Sequence, residues 1–319
     1  MVDARQPVGT AASPLRIGLV GIGKIARDQH LPSIADIPEI SLLAAASRSM
    51  PAGDPLIRYP TLQAMLEGEP DLDAVSLCTP PQGRFDQAML ALAAGKHLMI
   101  EKPPGATVRE VELLAEEADR RGVTLFATWH SREAAGVEPA RAWLADKAVH
   151  SVSIRWKEDI RVWHPGQDWI LQPGGLGVFD PGINALSILT RILPQPVRVE
   201  AARLDFPANR FAPIAARLAL RSGDTPVDAD FDFLQTGPQS WDMVVSTDAG
   251  DLTLSMGGSV LRVGDEAEQH APDHEYRRLY RRFAELVHTG ASDVDLSPIK
   301  LVADAFLLGE RRSVEPFQF

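Results

Sequence analysis

Cysteine is all but missing. Cys78 stands alone among 319 residues, so no intramolecular disulfide can form. It closes the apolar run Asp73–Cys78, where a small buried residue is the expected reading. No apolar stretch approaches the roughly 20 residues that a membrane-spanning helix needs. The first fourteen residues, Met1–Pro14, lack the apolar centre of a secretory leader and read as a flexible tail on a cytoplasmic protein. Basic clusters are absent as well, and the formal net charge is −11, which argues against a nucleic-acid partner. No set of His, Asp or Glu has metal-ligand spacing, so no metal is expected.

What is present is ordinary globular composition, 45 % apolar and 24 % charged, in a chain longer than one core usually requires. From Leu15 to about His130, short apolar runs (Arg16–Val20, Ser41–Ser47, Ala74–Thr79, His97–Ile100, Thr124–Thr128) alternate with helical segments (Lys24–Ile37, Thr61–Gly68, Arg84–Ala94, Thr107–Arg121). Runs that are apolar on both faces suit a parallel sheet covered by helices on each side, a doubly wound, Rossmann-type α/β arrangement. After a further helical segment, Glu133–Lys147, the period changes. Val152, Ile154 and Trp156 alternate with Ser151, Ser153 and Arg155, and β-rich runs follow at short spacing up to Val263. That pattern predicts a second, α+β domain built on a large, mainly antiparallel, open-faced sheet. Its helices are expected over Gly177–Leu193, Asp273–His288 and Pro298–Arg311. The division predicted is a tail over 1–14, a dinucleotide-binding domain over 15–131 and a substrate-binding domain over 132–319.

The first strand runs straight into Gly21-Ile22-Gly23-Lys24-Ile25-Ala26, a G-x-G-x-x-A turn. The first Gly allows the tight bend, the second lets a pyrophosphate approach the backbone, and the small third residue lets helix pack on strand. Amides at the helix start then meet the phosphate charge. Gly21, Gly23, Lys24 and Ile25 are therefore candidate cofactor residues. The second strand ends on Ala46-Ser47-Arg48, without the carboxylate that NAD-specific sites use on the ribose. Ser47 and Arg48 suit a 2′-phosphate instead, so NADP is preferred and NAD remains usable.

Ligands of open parallel sheets lie beyond the carboxyl ends of the strands. There stand Cys78-Thr79-Pro80 and Glu101-Lys102-Pro103, further candidates for the cofactor's nicotinamide end. A lysine partly desolvated beside a nicotinamide cation has its charged form disfavoured, which equips Lys102 to take a hydroxyl proton as hydride leaves the same carbon.

The stretches Gly18–Ala26, Thr79-Pro80, Ala94–His97, Glu101–Pro103 and Gly174–Asn184 resemble the glucose–fructose oxidoreductase / inositol dehydrogenase / rhizopine-catabolism (Gfo/Idh/MocA) family over nearly the whole chain. Val20–Pro32, Thr128–Ser131, Trp156–Asp159 and Trp163–Gln167 are similar to its bacterial L-arabinose and D-galactose 1-dehydrogenases. The resemblance implies oxidation of the anomeric carbon of an aldose to the lactone, with Lys102 as acid/base and Asp180 and Asn184 completing the catalytic set. Positions 180 and 184 are i and i+4 on a predicted helix, hence on one face. It further implies sugar contacts from Glu158 and His164. Trp163 and Trp241 are expected to pack on the sugar's apolar face, and His130 to close the site. Two positions depart from the family: Asn184 where His is common, so that no relay passes through it, and Arg84 where His often follows Thr-Pro. His30, His150, His270, His274 and His288 read as structural. Two alternatives stand beside this reading: a dehydrogenase of another aldose or polyol such as D-xylose, and a non-catalytic NADP-binding regulator. A homo-oligomer, dimer or higher, is expected from the open sheet face.

Overall fold

The computed structural model describes residues 13–48 and 56–319; most of the tail expected over 1–14 lies outside them. Two sheets organise the chain. The first has six strands, all parallel, in the order β3-β2-β1-β4-β5-β6. They are β1 Leu15–Val20, β2 Ile40–Ala46, β3 Ile57–Tyr59, β4 Ala74–Leu77, β5 His97–Ile100 and β6 Leu125–Ala127. This is the doubly wound order, with its switch point between β1 and β4. The near-continuous apolar runs are buried from both sides: all four residues of β4 are inaccessible.

Helices α2 (Leu62–Gly68), α3 (Arg84–Ala93) and α4 (Val108–Arg121) cover one face, through Met65, Leu92 and Leu114 among others. α4 has both end signals. Thr107 and Glu110 form a capping box, and Gly122 closes the helix with a left-handed φ of 67°. The opposite face carries the helix entered after Gly23, which passes through a π-turn (Ala26–His30) into α1 (Leu31–Ala35). Pro32 has no N–H to offer the Asp28 carbonyl, which accounts for the wider turn. Beside it lies α8 (Glu275–Thr289), whose Tyr276, Leu279, Tyr280 and Phe283 pack with Ile17, Met99 and Phe126 of the parallel sheet. A helix from the far end of the chain thus completes the first sheet's cover.

The second sheet has nine strands in the order β14-β13-β12-β11-β7-β10-β9-β8-β15. Its strands are β7 Val149–Lys157, β8 Val197–Pro207, β9 Ala215–Ser222, β10 Thr225–Asp232, β11 Ser240–Thr247, β12 Gly250–Ser255, β13 Val260–Val263, β14 Gln269–His270 and β15 Glu310–Val314. The β7–β10 and β8–β15 pairs are parallel and the remaining pairs antiparallel. Along β7 the alternation holds: Val152, Ile154 and Trp156 are buried, while Ser151, Ser153 and Arg155 face solvent. The buried face packs on α5 (Val137–Leu144), α7 (Phe179–Ile192) and α9 (Ser297–Leu308).

Helix α9 is shorter than the sequence suggests. It ends at Leu308, and Glu310–Val314, expected in part as helix, is the edge strand β15. The Arg-rich stretch has no β alternation, and its pairing with β8 decides its conformation. Among the described residues no helix is long and apolar enough to cross a membrane.

Candidate active site

The phosphate turn follows β1. Gly21 adopts φ 88° and its N–H donates to the Ala46 carbonyl at 2.9 Å. A Cβ there would stand 2.8 Å from Thr79 Cγ2 and 3.0 Å from the Thr79 nitrogen, so this bend requires glycine. A Cβ on Gly23 would meet nothing within 4 Å, which leaves that backbone open to an approaching group. Ala26 is fully buried against Leu19, Ile22 and Ala45 and brings the helix close to the sheet. Lys24, paired with Asp28, and Ile25, 39 % exposed, flank the open side. A pyrophosphate therefore fits this turn. At the end of β2 the Ser47 N–H donates to the Tyr59 carbonyl at 3.1 Å, and Arg48 is exposed.

At the carboxyl end of β4, Thr79 Oγ1 donates to Gln87 at 2.7 Å, Pro80 is exposed, and Cys78 is half-buried with Sγ 3.5 Å from His30 Nε2. At the end of β5, Glu101 is buried yet well supplied with donors. Its Oε1 accepts from Tyr276 Oη at 2.7 Å and His30 Nε2 at 3.0 Å, and its Oε2 accepts the Lys102 N–H at 2.8 Å. His30 Nδ1 pairs with Tyr280 Oη at 2.7 Å. Burial alone would favour the neutral acid. The hydrogen bond and charge of His30, the charge of His130 and the Tyr276 hydroxyl outweigh it and hold Glu101 well below the usual carboxylate range. Burial likewise opposes charge on His30, while Cys78, Tyr280 and Glu101 around it carry its pKa well above the ordinary imidazole value.

Lys102 reaches from β5 to the first turn of α7. Its Nζ donates to the Asp180 carbonyl at 2.9 Å and lies 3.3 Å from Asp180 Oδ2. The same carboxylate oxygen is 3.9 Å from His164 Nδ1, and His164 Nε2 donates to Glu158 Oε1 at 2.9 Å. Trp241 Nε1 donates to Glu158 Oε2 at 2.8 Å. The polar chain Lys102–Asp180–His164–Glu158 thus bridges the two sheets. Its far end rests on a tryptophan stack: Trp163 lies edge-on to Trp241, ring centres 4.6 Å apart, and Trp156 stacks on Trp241 at 6.2 Å. Trp163 closes the short helix α6 (Ile160–Trp163), capped by Asp159, and keeps 39 % of its surface exposed.

Asn184 follows Asp180 by one helical turn, and its side chain has no hydrogen-bond partner among the described residues. His130 is placed elsewhere. Its Nδ1 donates to Glu275 Oε2 at 2.7 Å and its ring stacks on Tyr276, the tyrosine that donates to Glu101. Glu158, a candidate sugar contact, gives one oxygen to His164 and the other to Trp241.

The sequence named Arg84 only as a departure from the family and His30 only as structural; it gave Arg84 no role and did not reveal the His30–Tyr276–Tyr280 cluster. Arg84 is 3 % exposed and donates to the carbonyl oxygens of Thr79, Glu101 and Pro103. Burial draws its pKa down to about 10, against the opposing influence of Glu101, Cys78 and Asp180. Two tyrosines at i and i+4 on a predicted helix were the available signal for the cluster. Among the described residues no group of three His, Cys, Asp or Glu is arranged to hold a metal.

The doubly wound sheet and its glycine turn define an NAD-binding oxidoreductase, and residues 15–128 match the family model described as an oxidoreductase family with an NAD-binding Rossmann fold. The chain belongs to this Gfo/Idh/MocA family. It is 44 % identical to galactose 1-dehydrogenase of Pseudomonas fluorescens over 305 residues, 95 % of this chain and 99 % of that one. It also superposes on the crystal structure of D-galactose-1-dehydrogenase from Rhizobium etli with a TM-score of 0.90 at 55 % identity, covering 97 % and 99 % of the two chains. A 3-ketoreductase from Actinomadura kijaniata, solved with NADP and TDP-benzene, shares the fold at a TM-score of 0.81 and 19 % identity, over 96 % of this chain and all of that one.

Proposed function

We propose that the protein is an NADP-preferring aldose 1-dehydrogenase that oxidises D-galactose, L-arabinose or both to the aldonolactone. The observation that carries this reading is the Lys102–Asp180 pair, Nζ to Oδ2 3.3 Å, at the carboxyl end of β5 beside a glycine turn open to a pyrophosphate. A bound nicotinamide would accept the hydride from the anomeric carbon. Lys102 Nζ takes the proton of the anomeric hydroxyl, and Asp180 then neutralises the charge gained on the lysine. Asn184, with its amide unpaired among the described residues, offers a donor and an acceptor to a ring hydroxyl. His164 Nδ1 faces the same space, and the exposed part of Trp163 suits the C–H face of a pyranose. Identity of 44 % and 55 % to two galactose dehydrogenases over nearly whole chains supports the sugar class. L-arabinose joins it because it shares hydroxyl stereochemistry with D-galactose over most of the ring.

The NADP preference rests on Ser47 and the exposed Arg48, with no carboxylate at the end of β2. We assign residues 15–131 to the dinucleotide and 132–319 to the sugar, except that α8 belongs to the cover of the first sheet, on a cytoplasmic protein whose open nine-stranded sheet pairs with another copy. An intact Lys102–Asp180 pair favours an enzyme over a cofactor-sensing regulator. A panel of aldoses with NADP and with NAD, followed by reduced-cofactor absorbance, tests the reading. D-galactose or L-arabinose should be turned over fastest and with NADP; a panel in which no aldose reduces either cofactor overturns it.

A further inference from the structure

Beyond the end of a parallel strand the ladder stops, and main-chain carbonyls there need other donors if they are buried. The carbonyls of Thr79, Glu101 and Pro103 are in this position, one past β4 and two past β5. All three accept from one side chain. Arg84 Nε donates to the Thr79 oxygen at 2.8 Å, with Nη2 on the same atom, and Nη1 serves the Glu101 and Pro103 oxygens on either side of Lys102. A planar guanidinium, with five N–H groups on three nitrogens, can do this; an ammonium's three donors all leave one atom, and an imidazole has at most two. From the other side the Glu101 carboxylate takes the Lys102 N–H at 2.8 Å. The peptide that bears the lysine is therefore gripped by two buried side chains of opposite charge.

We infer that Arg84 is a positioning residue for Lys102: it anchors the Glu101–Pro103 main chain so that Nζ arrives at Asp180. A lysine side chain has four rotatable bonds, so its reach is only as accurate as its root. The guanidinium also sets a fixed positive charge within electrostatic range of Asp180, Glu101 and Cys78. The inference rests on the assignment of Lys102 as acid/base, and it adds a residue that does not touch the substrate.

The test compares the full-length wild type with Arg84→Met and Arg84→Lys. Three quantities are read: NADP affinity by fluorescence, kcat and KM for the best aldose, and hydrogen exchange at the Glu101 and Lys102 amides. Arg84→Met should bind NADP within about 3-fold of wild type while kcat falls by roughly 10- to 100-fold, the usual cost of a group displaced by about 1 Å. The KM for sugar should change far less, and exchange at the two amides should quicken. Arg84→Lys keeps the charge but not the span, and should recover part of kcat. Should Arg84→Met not fold, Arg84→Lys carries the test through the same split between kcat and KM. A folded, NADP-binding Arg84→Met with wild-type kcat overturns the inference, as does unchanged exchange at Glu101 and Lys102. If the wild type itself oxidises no aldose, the functional reading fails, and the exchange measurement still decides whether Arg84 is the anchor.

Discussion

Lys102 leaves the sheet at the point where β5 ends, and the contacts that orient it come from side chains and from the first turns of α3 and α7, not from the strand ladder. Its N–H goes to Glu101, its Nζ to the carbonyl and carboxylate of Asp180, and its flanking carbonyls to Arg84. Replacing it with alanine removes the proton acceptor without touching the glycine turn. Lys102→Ala should keep NADP binding and lose turnover by on the order of 10²–10⁴-fold; steady-state kinetics beside a fluorescence titration would show it, and near-normal turnover would rule out the role. Position at a strand end pointed to Lys102, the family resemblance to Asp180 and Asn184, and their i,i+4 spacing put those two on one helical face. These signals did not show that Glu158 spends both oxygens on protein donors, nor that position 84 holds three carbonyls; such roles are set by neighbours remote in sequence.

At the scale of elements, α7 is the part that delivers Asp180 and Asn184. It starts after Gly177, a residue at φ 58° whose Cβ, if present, would run into the Pro213 carbonyl oxygen. The left-handed backbone alone costs a non-glycine residue about 1–2 kcal/mol, and the collision must also push the helix start away from Pro213. Gly177→Ala should therefore lower the melting temperature and, in the protein that remains folded, reduce kcat by withdrawing Asp180 from Lys102. Thermal melting and kinetics on the same sample check both effects. The sequence marked α7 as the one long helix inside the second domain, and eleven of its fourteen residues are buried. The ends of α9 and β15 were not legible there, because an exposed Arg-rich segment becomes a strand by pairing with β8 rather than by its own pattern.

For the whole molecule, α8 is the tie between the two ends of the chain. Tyr276 and Tyr280 bring it to Glu101 and His30, so the buried charge beside Lys102 depends on a helix that begins 174 residues later, at Glu275. Glu101 is depressed from its ordinary value of 4.5, hence it stabilises the fold fully above that pH and loses the contribution as pH falls through its native pKa. Glu101→Gln should be less stable than wild type at about pH 6, where the native carboxylate is charged, and the gap should narrow towards about pH 3.5. Melting curves across that range give the answer; a gap that stays constant would show that the charge is not what stabilises the site.

The dinucleotide turn, the order of strands and helices, and the lysine at a strand end were determined by sequence alone. Each is written in local spacing: two-residue and 3.6-residue periods, glycines where φ must be positive, a polar residue where an apolar run stops. Only the tertiary structure decided that α8 crosses back to close the first sheet and that Arg84 and Glu101 grip the lysine's peptide. It also decided that His130 turns to Glu275 and not to the Lys102 chain. Those outcomes depend on which buried donors and acceptors meet across long sequence separations, and the cost of leaving any of them unpaired is felt only once the core has closed.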